Sequence, residues 1–241
     1  MLHYAILIDG GFAKRKLGTM AVPATASDFR RLIDAICKHQ ALADMRLHRV
    51  YYYDAAPLES SQAKPLQGGT IEFGGNQVVA RAKQLFDQLS RVPFVALRLG
   101  ELAFDGWVVK GKKLARAPGE TVEIKADDLQ AQITQKGVDM RIGMDIAALT
   151  LKKQVQVVVL VSGDSDFVPA MKFARREGAH LYLAPLGQHV KASMLEHSDM
   201  LISLDIARPL PKFPAVEDIA AEALQVAAQP AEGDPQGSAG D

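Results

Sequence analysis

One cysteine, Cys37, in 241 residues has no partner inside the chain. An internal disulfide is excluded, and a reducing, cytoplasmic compartment is the expected setting. Long apolar runs are also missing. The longest, Val155–Val161, is broken by Gln156 and falls far short of the roughly 20 residues that cross a bilayer, so no membrane partner is expected. The opening Met1-Leu2-His3-Tyr4-Ala5 has no basic stretch ahead of an apolar core, so no signal peptide is expected. Neither sign of charge dominates, since 28 Lys+Arg balance 28 Asp+Glu. Residues 207–241 hold two basic and six acidic residues, which leaves about +4 on residues 1–206. That excess suits a polyanionic partner without requiring one. Six histidines show no i,i+4 pairing with Glu or Cys, so a zinc site is not indicated. No Gly-Lys-Ser/Thr P-loop occurs, and Gly10-Gly11 lacks the third glycine of a dinucleotide fingerprint.

What remains is a chain with 48% apolar and 23% charged residues, which excludes wholesale disorder. Its length allows one domain, at most two. Strand-like runs occur at Tyr4–Ile8, Leu47–Tyr53, Phe94–Leu99, Val155–Val161, Leu181–Ala184 and, more weakly, Met200–Leu204. Helical stripes lie between them. Phe29, Leu32, Ile33, Ile36 and Cys37 mark one, with Ser27 as its expected N-cap. Further helices are expected over Val78–Leu89, along Val138, Ile142, Ile146 and Leu149, and from Phe167 to Arg176, closed by Gly178. Apolar strands alternating with helices predict an α/β fold: a mainly parallel sheet covered on both faces. Pro57–Gly75 reads as a long loop, and Leu102–Arg116 as an inserted hairpin turning at Lys110-Gly111-Lys112. The expected folded unit is residues 1–206. Residues 207–241 form a Pro/Ala/Gly-rich acidic tail, with an Ala-rich helical stretch at 215–228 and disorder beyond it. That tail and the hairpin are the candidate surfaces for a homo-oligomer.

The aspartates follow the strands. In an open parallel sheet, ligands bind outside the carboxyl ends of the strands. Asp9 ends Ile6-Leu7-Ile8-Asp9-Gly10-Gly11, and Asp164 and Asp166 follow the most apolar strand in Val161-Ser162-Gly163-Asp164-Ser165-Asp166-Phe167. Asp139, in Lys136-Gly137-Val138-Asp139, opens the helix that feeds that strand and therefore starts at the same edge. Carboxylates gathered in one crevice repel unless a cation joins them. Hard Mg²⁺ or Mn²⁺ takes oxygen ligands, and its natural chemistry is water attack on a phosphodiester. Gly10, Gly11 and Gly163 leave room for a phosphate to approach the backbone. Each acid also has a plainer reading: Asp9 as turn residue or helix cap, Asp166 as the N-cap before Phe167, Asp139 as a complement to the helix dipole. Asp145 lies roughly 9 Å further along the helix and about 120° around it from Asp139, which makes it a second-tier candidate.

Taken together, these segments resemble the NYN domain, a branch of the PIN-like nuclease superfamily. The stretches that carry the resemblance are Ile6–Gly11, Lys136–Asp139 with Asp145-Ile146, and Leu160–Pro169. The resemblance implies a Rossmann-like, three-layer α/β/α fold and metal-dependent cleavage of RNA. It implies that Asp9, Asp139, Asp164 and Asp166 form the acidic catalytic and Mg²⁺ or Mn²⁺ site, with Asp145 matching a recurrent family acid and Ser162 contacting phosphate or supporting the acids. Many relatives have Asn shortly after the first Asp-Gly, where this chain has Phe12, a side chain that cannot hydrogen-bond a phosphate.

Several cations are candidates for holding RNA: Lys14, Arg15 and Lys16 after Asp9, Lys136 before Asp139, Lys110, Lys112, Lys113 and Arg116 on the expected hairpin, and Lys172, Arg175 and Arg176. Tyr53 and Trp107 are candidates for stacking a base, with core packing as the alternative. The reading favoured is a metal-dependent ribonuclease. The alternative is a non-catalytic RNA- or protein-binding module that keeps the fold. An aspartyl-phosphatase is disfavoured, because Gly10-Gly11 stands where an Asp-x-Asp pair is needed.

Overall fold

The computed structural model describes residues 1–114, 119 and 121–204. The strands among them are β1 (Leu2–Asp9), β2 (Met45–Ala56), β3 (Ser61–Ala63), β4 (Thr70–Glu72), β5 (Val95–Val109), β6 (Leu129–Lys136), β7 (Val157–Val161), β8 (His180–Leu183) and β9 (Met200–Leu201). The helices are α1 (Gly10–Leu17), α2 (Ala26–Cys37), α3 (Gln77–Ser90), α4 (Gly111–Leu114), α5 (Val138–Leu151), α6 (Val168–Arg176) and α7 (Ala192–Glu196). The acidic tail and Arg116 lie outside the described residues. No helix among the described residues is long and apolar enough to cross a membrane.

Seven strands form one sheet in the order β6-β5-β2-β1-β7-β8-β9. Every neighbouring pair is parallel except β5 with β6. β7 is buried at all five residues, as a central parallel strand must be. Along β1, Ile6 and Ile8 face one side with α1, α2 and α3, while Ala5 and Leu7 face α5 and α6 on the other. The result is the expected three-layer arrangement. On α2, Phe29, Leu32 and Ile36 are completely buried, each worth roughly 1.5–3 kcal/mol of removed apolar surface.

Four expectations need correction. β5 does not stop near Leu99 but continues to Val109, and its antiparallel partner is β6, twenty residues on. Lys113 and Leu114, expected to begin the second arm of a hairpin, instead end the short helix α4. Strand continuity past Gly106 (φ 114°) is kept by a bulge between Phe104 and Gly106. The segment expected as a plain loop at Pro57–Gly75 contains the β3–β4 hairpin. The cap of α2 is Thr25, which forms a reciprocal capping box with Asp28, and Ser27 lies inside the first turn. Finally, α1 follows β1 directly, its inner face supplied by Phe12, Ala13 and Leu17.

The topology sets a switch point. From β1 the chain builds outward through β2 and β5 on one side, then crosses to β7, β8 and β9 on the other. The direction of winding reverses between β1 and β7, and the carboxyl ends at such a switch point are where these sheets take ligands. Gly100 lets β5 approach the turn before α5. A Cβ at that position would stand 2.5 Å from the Lys136 carbonyl and 2.8 Å from Val138, so β5 can touch the turn that launches α5.

Candidate active site

Asp9 is the last residue of β1 and the N-cap of α1, accepting the Phe12 N–H at 3.0 Å. Its other oxygen accepts the Ser162 hydroxyl at 3.0 Å. The same hydroxyl oxygen accepts the Asp164 N–H at 3.2 Å. Ser162 is completely buried, so it works as a strut between the β1 and β7 loops, with both its donor and its acceptor in use. Burial pushes the Asp9 carboxyl above its ordinary range and the charge of Asp164 adds to this, while the Phe12 and Ser162 hydrogen bonds and Arg15 oppose it.

Asp164 caps a 3-10 turn, Ser165–Phe167, by accepting the Asp166 N–H at 3.0 Å. Asp166 is therefore not the expected N-cap: Asp164, two residues earlier, caps the 3-10 turn, Asp166 sits exposed inside it, and α6 starts after Phe167 without a side-chain cap, with Pro169 in its first turn. Asp139 stands in the first turn of α5, which begins at Gly137 (φ 78°) without a side-chain cap. Partial burial raises the Asp139 carboxyl, and the charges of Asp9, Asp164 and Asp166 raise it further. Four carboxylates from three chain segments thus share one electrostatic neighbourhood at the switch point. Asp145 does not join them. It accepts the Tyr53 hydroxyl at 2.9 Å and pairs with Arg98 at 3.1 Å, so its charge is already compensated.

The model of the NYN domain family matches residues 4–205, nearly all of the described chain. The chain belongs to that family. It is a nuclease-like family. Among solved structures, the crystal structure of a protein of unknown function from Vibrio parahaemolyticus aligns with 85% of this chain and 93% of its own, at 14% identity and a TM-score of 0.49. No curated protein matches.

Within this NYN domain the neighbouring cations sort by what they already hold. Lys14 pairs at 2.7 Å with Asp54, which is buried and also accepts the Tyr52 hydroxyl and the Ala55 N–H. Lys136 pairs with Asp105 at 3.0 Å. Lys113, Arg175 and Arg176 are likewise paired, with Asp128, Asp199 and Glu177. Arg15 is exposed, close enough for its charge to act on Asp9, and has no ion pair among the described residues. The two glycines after Asp9 also differ. A Cβ on Gly10 would stand 2.5 Å from the Tyr53 carbonyl and 2.7 Å from the Tyr52 ring, so Gly10 is required for packing α1 on β2. A Cβ on Gly11 would stand 3.5 Å from an Asp9 carboxylate oxygen and 3.8 Å from the Arg15 guanidinium, so a side chain fits there without a clash.

Phe12 is a packing residue beside the site. Its ring is buried against Gly163, and only its N–H addresses Asp9. Tyr53 is completely buried, and Trp107 donates its indole N–H to the Ala63 carbonyl and stacks edge-on with Phe104, so both aromatics have structural employment. Two residues with no signal in the local sequence border the acids. The Gln188 amide lies against Gly163, and the Lys191 ammonium donates to the Ser165 hydroxyl at 2.9 Å. Both belong to the segment after β8, the next strand outward from β7; the signal that could have found them is strand order rather than any motif.

The donor set suits a hard cation: oxygen-only, multiply negative, with Arg15 as the single nearby compensating cation that acts on Asp9. Among the described residues no three His, Cys, Asp or Glu side chains stand close enough to grip one ion directly. A Mg²⁺-like ion that keeps several of its waters is the kind that such a spaced set accommodates.

Proposed function

We propose that this NYN domain is a divalent-metal-dependent ribonuclease that hydrolyses RNA phosphodiester bonds with Mg²⁺ or Mn²⁺. The observation that carries this reading is the Asp9–Ser162–Asp164 linkage, which ties acids from β1 and β7 together at the switch point, with Asp139 and Asp166 in the same field. Asp9, Asp139, Asp164 and Asp166 would hold the ion, which supplies activation of water and stabilisation of the leaving oxygen. The chain's own part is positioning. Asp9 is fixed by the Phe12 N–H and the Ser162 hydroxyl, so one carboxylate edge of the site is preorganised before substrate arrives. Asp166 is exposed and open to solvent. Gly11, without a side chain, leaves the Asp9 carboxylate and the Arg15 guanidinium uncovered on its side.

The test is cleavage of a labelled single-stranded RNA with Mg²⁺ or Mn²⁺, stopped by EDTA, with Asp9→Asn and Asp164→Asn purified in parallel. Both substitutions should abolish most of the rate. Identical cleavage by wild type and Asp164→Asn would mean that the activity belongs to a contaminant. RNA binding without cleavage would instead establish a binding module built on the nuclease fold.

A further inference from the structure

We infer that Lys191, together with Arg15, grips the RNA phosphates that flank the acidic site; this rests on the ribonuclease reading above. Lys14, Lys136 and Arg98 are spent on Asp54, Asp105 and Asp145, whereas Lys16, Arg141 and Lys172 have no ion pair among the described residues. What sets Lys191 apart is its bond to the residue between two of the acids. Its Nζ bonds a neutral hydroxyl, that of Ser165, at 2.9 Å, and no carboxylate among the described residues pairs with it. Ser165 stands between Asp164 and Asp166, so a full positive charge is held beside the acids without being cancelled by them.

The lysine is also placed. Its neighbours Val190 and Met194 are buried in the core against β7 and β8, which fixes the backbone on both sides of it while the side chain stays exposed. An ammonium has three donors and only one is used on Ser165. The Ser165 hydroxyl, accepting from Lys191, keeps its own hydrogen for a phosphate oxygen. Arg15 lies on the other flank, on α1, which follows β1 and packs against β2, whereas Lys191 follows β8. A strand laid across the carboxyl ends of β1 and β7 would meet one cation before the acids and one after them. Neither contact reads bases, so the grip implied is independent of sequence.

The measurement is binding of a labelled single-stranded RNA in EDTA over a series of salt concentrations. Each phosphate contact on a single strand contributes about 0.7 to the slope of log affinity against log salt. Lys191→Ala should flatten the slope by about 0.7 and weaken binding about fivefold at 0.1 M salt, Arg15→Ala should do the same, and the double variant should lose about 1.4. Lys191→Arg should keep the wild-type slope, and so should Lys152→Ala at the opposite end of α5. Lys191→Glu, which needs no loss of packing, should flatten it further. With metal present, Lys191→Ala should raise KM and leave kcat alone. Unchanged slope and affinity in Lys191→Ala and Lys191→Glu would overturn the proposal even if the wild type cleaves RNA. A flattened slope in a protein that never cleaves would uphold the grip and remove the nuclease reading. No RNA binding by the wild type overturns both.

Discussion

Replacing Lys14 by Ala separates a structural cation from a substrate-binding one. Asp54 is 3% exposed, and its carboxylate takes the Lys14 ammonium at 2.7 Å, the Tyr52 hydroxyl at 2.8 Å and the Ala55 N–H at 2.9 Å. Removing one partner of a fully buried ion pair costs about 3–5 kcal/mol, because a charge is left uncompensated in a poor solvent. Here the lysine side chain is 39% exposed and two hydrogen bonds survive, so water screens part of the loss. About 2–3 kcal/mol is the reasonable expectation. For a domain of this size that lowers the melting temperature by about 4–12 °C. Asp54→Asn in the Lys14→Ala background should recover part of the loss, since a neutral amide needs no counter-charge, and the double-variant cycle measures the coupling. The RNA salt slope should not change in either variant. A Lys14→Ala protein that melts with the wild type but shows a flatter salt slope would refute this assignment and return Lys14 to the substrate.

Gly10→Ala should destabilise by about 1–3 kcal/mol in urea unfolding, because its Cβ meets backbone and ring atoms of β2, whereas Gly11→Ala should leave stability nearly unchanged and slow cleavage if a phosphate passes there. Ser162→Ala should cost about 1–3 kcal/mol by leaving the buried end of the Asp9–Asp164 linkage without its hydroxyl, and should lower kcat more than RNA affinity. Asp9 provides a pH test. Its folded-state carboxyl is raised by burial, so without metal the folded protein holds that proton more tightly than the unfolded chain does, and stability is lost as pH rises through the raised value. In chelator Asp9→Asn should therefore melt above wild type at neutral pH, with the gap closing on acidification. Mn²⁺ should stabilise wild type and not Asp9→Asn, and equal metal stabilisation of both would count against a shared ion.

Much of the architecture is legible locally. Apolar runs such as Val157–Val161 can only be central strands, and helical stripes between them force helices onto both faces. The site edge is legible for the same reason: Asp9 and Asp164 stand where apolar strands end, and ligands meet such sheets at that edge. β6 was not legible. Its sequence, Leu-Gln-Ala-Gln-Ile-Thr-Gln-Lys, is that of a half-covered edge strand, and its pairing with β5 is decided by a partner twenty residues away rather than by the nearby Lys-Gly-Lys.

Residue chemistry and order along the chain determined the fold class, the family and the four candidate acids. Which of their neighbours are spent on structural partners was decided only by three-dimensional placement. Lys14 and Arg15 are adjacent in sequence but about 100° apart around α1, so one reaches the buried Asp54 and the other stays beside Asp9. Gly10 and Gly11 divide in the same way, one closed against β2 and the other in ordinary contact range of Asp9 and Arg15. Lys191 joins the site from a loop beyond β8, through a sheet order that no local pattern encodes. A helix turn or a strand crossing sets such distances, and neither is visible until the chain has packed.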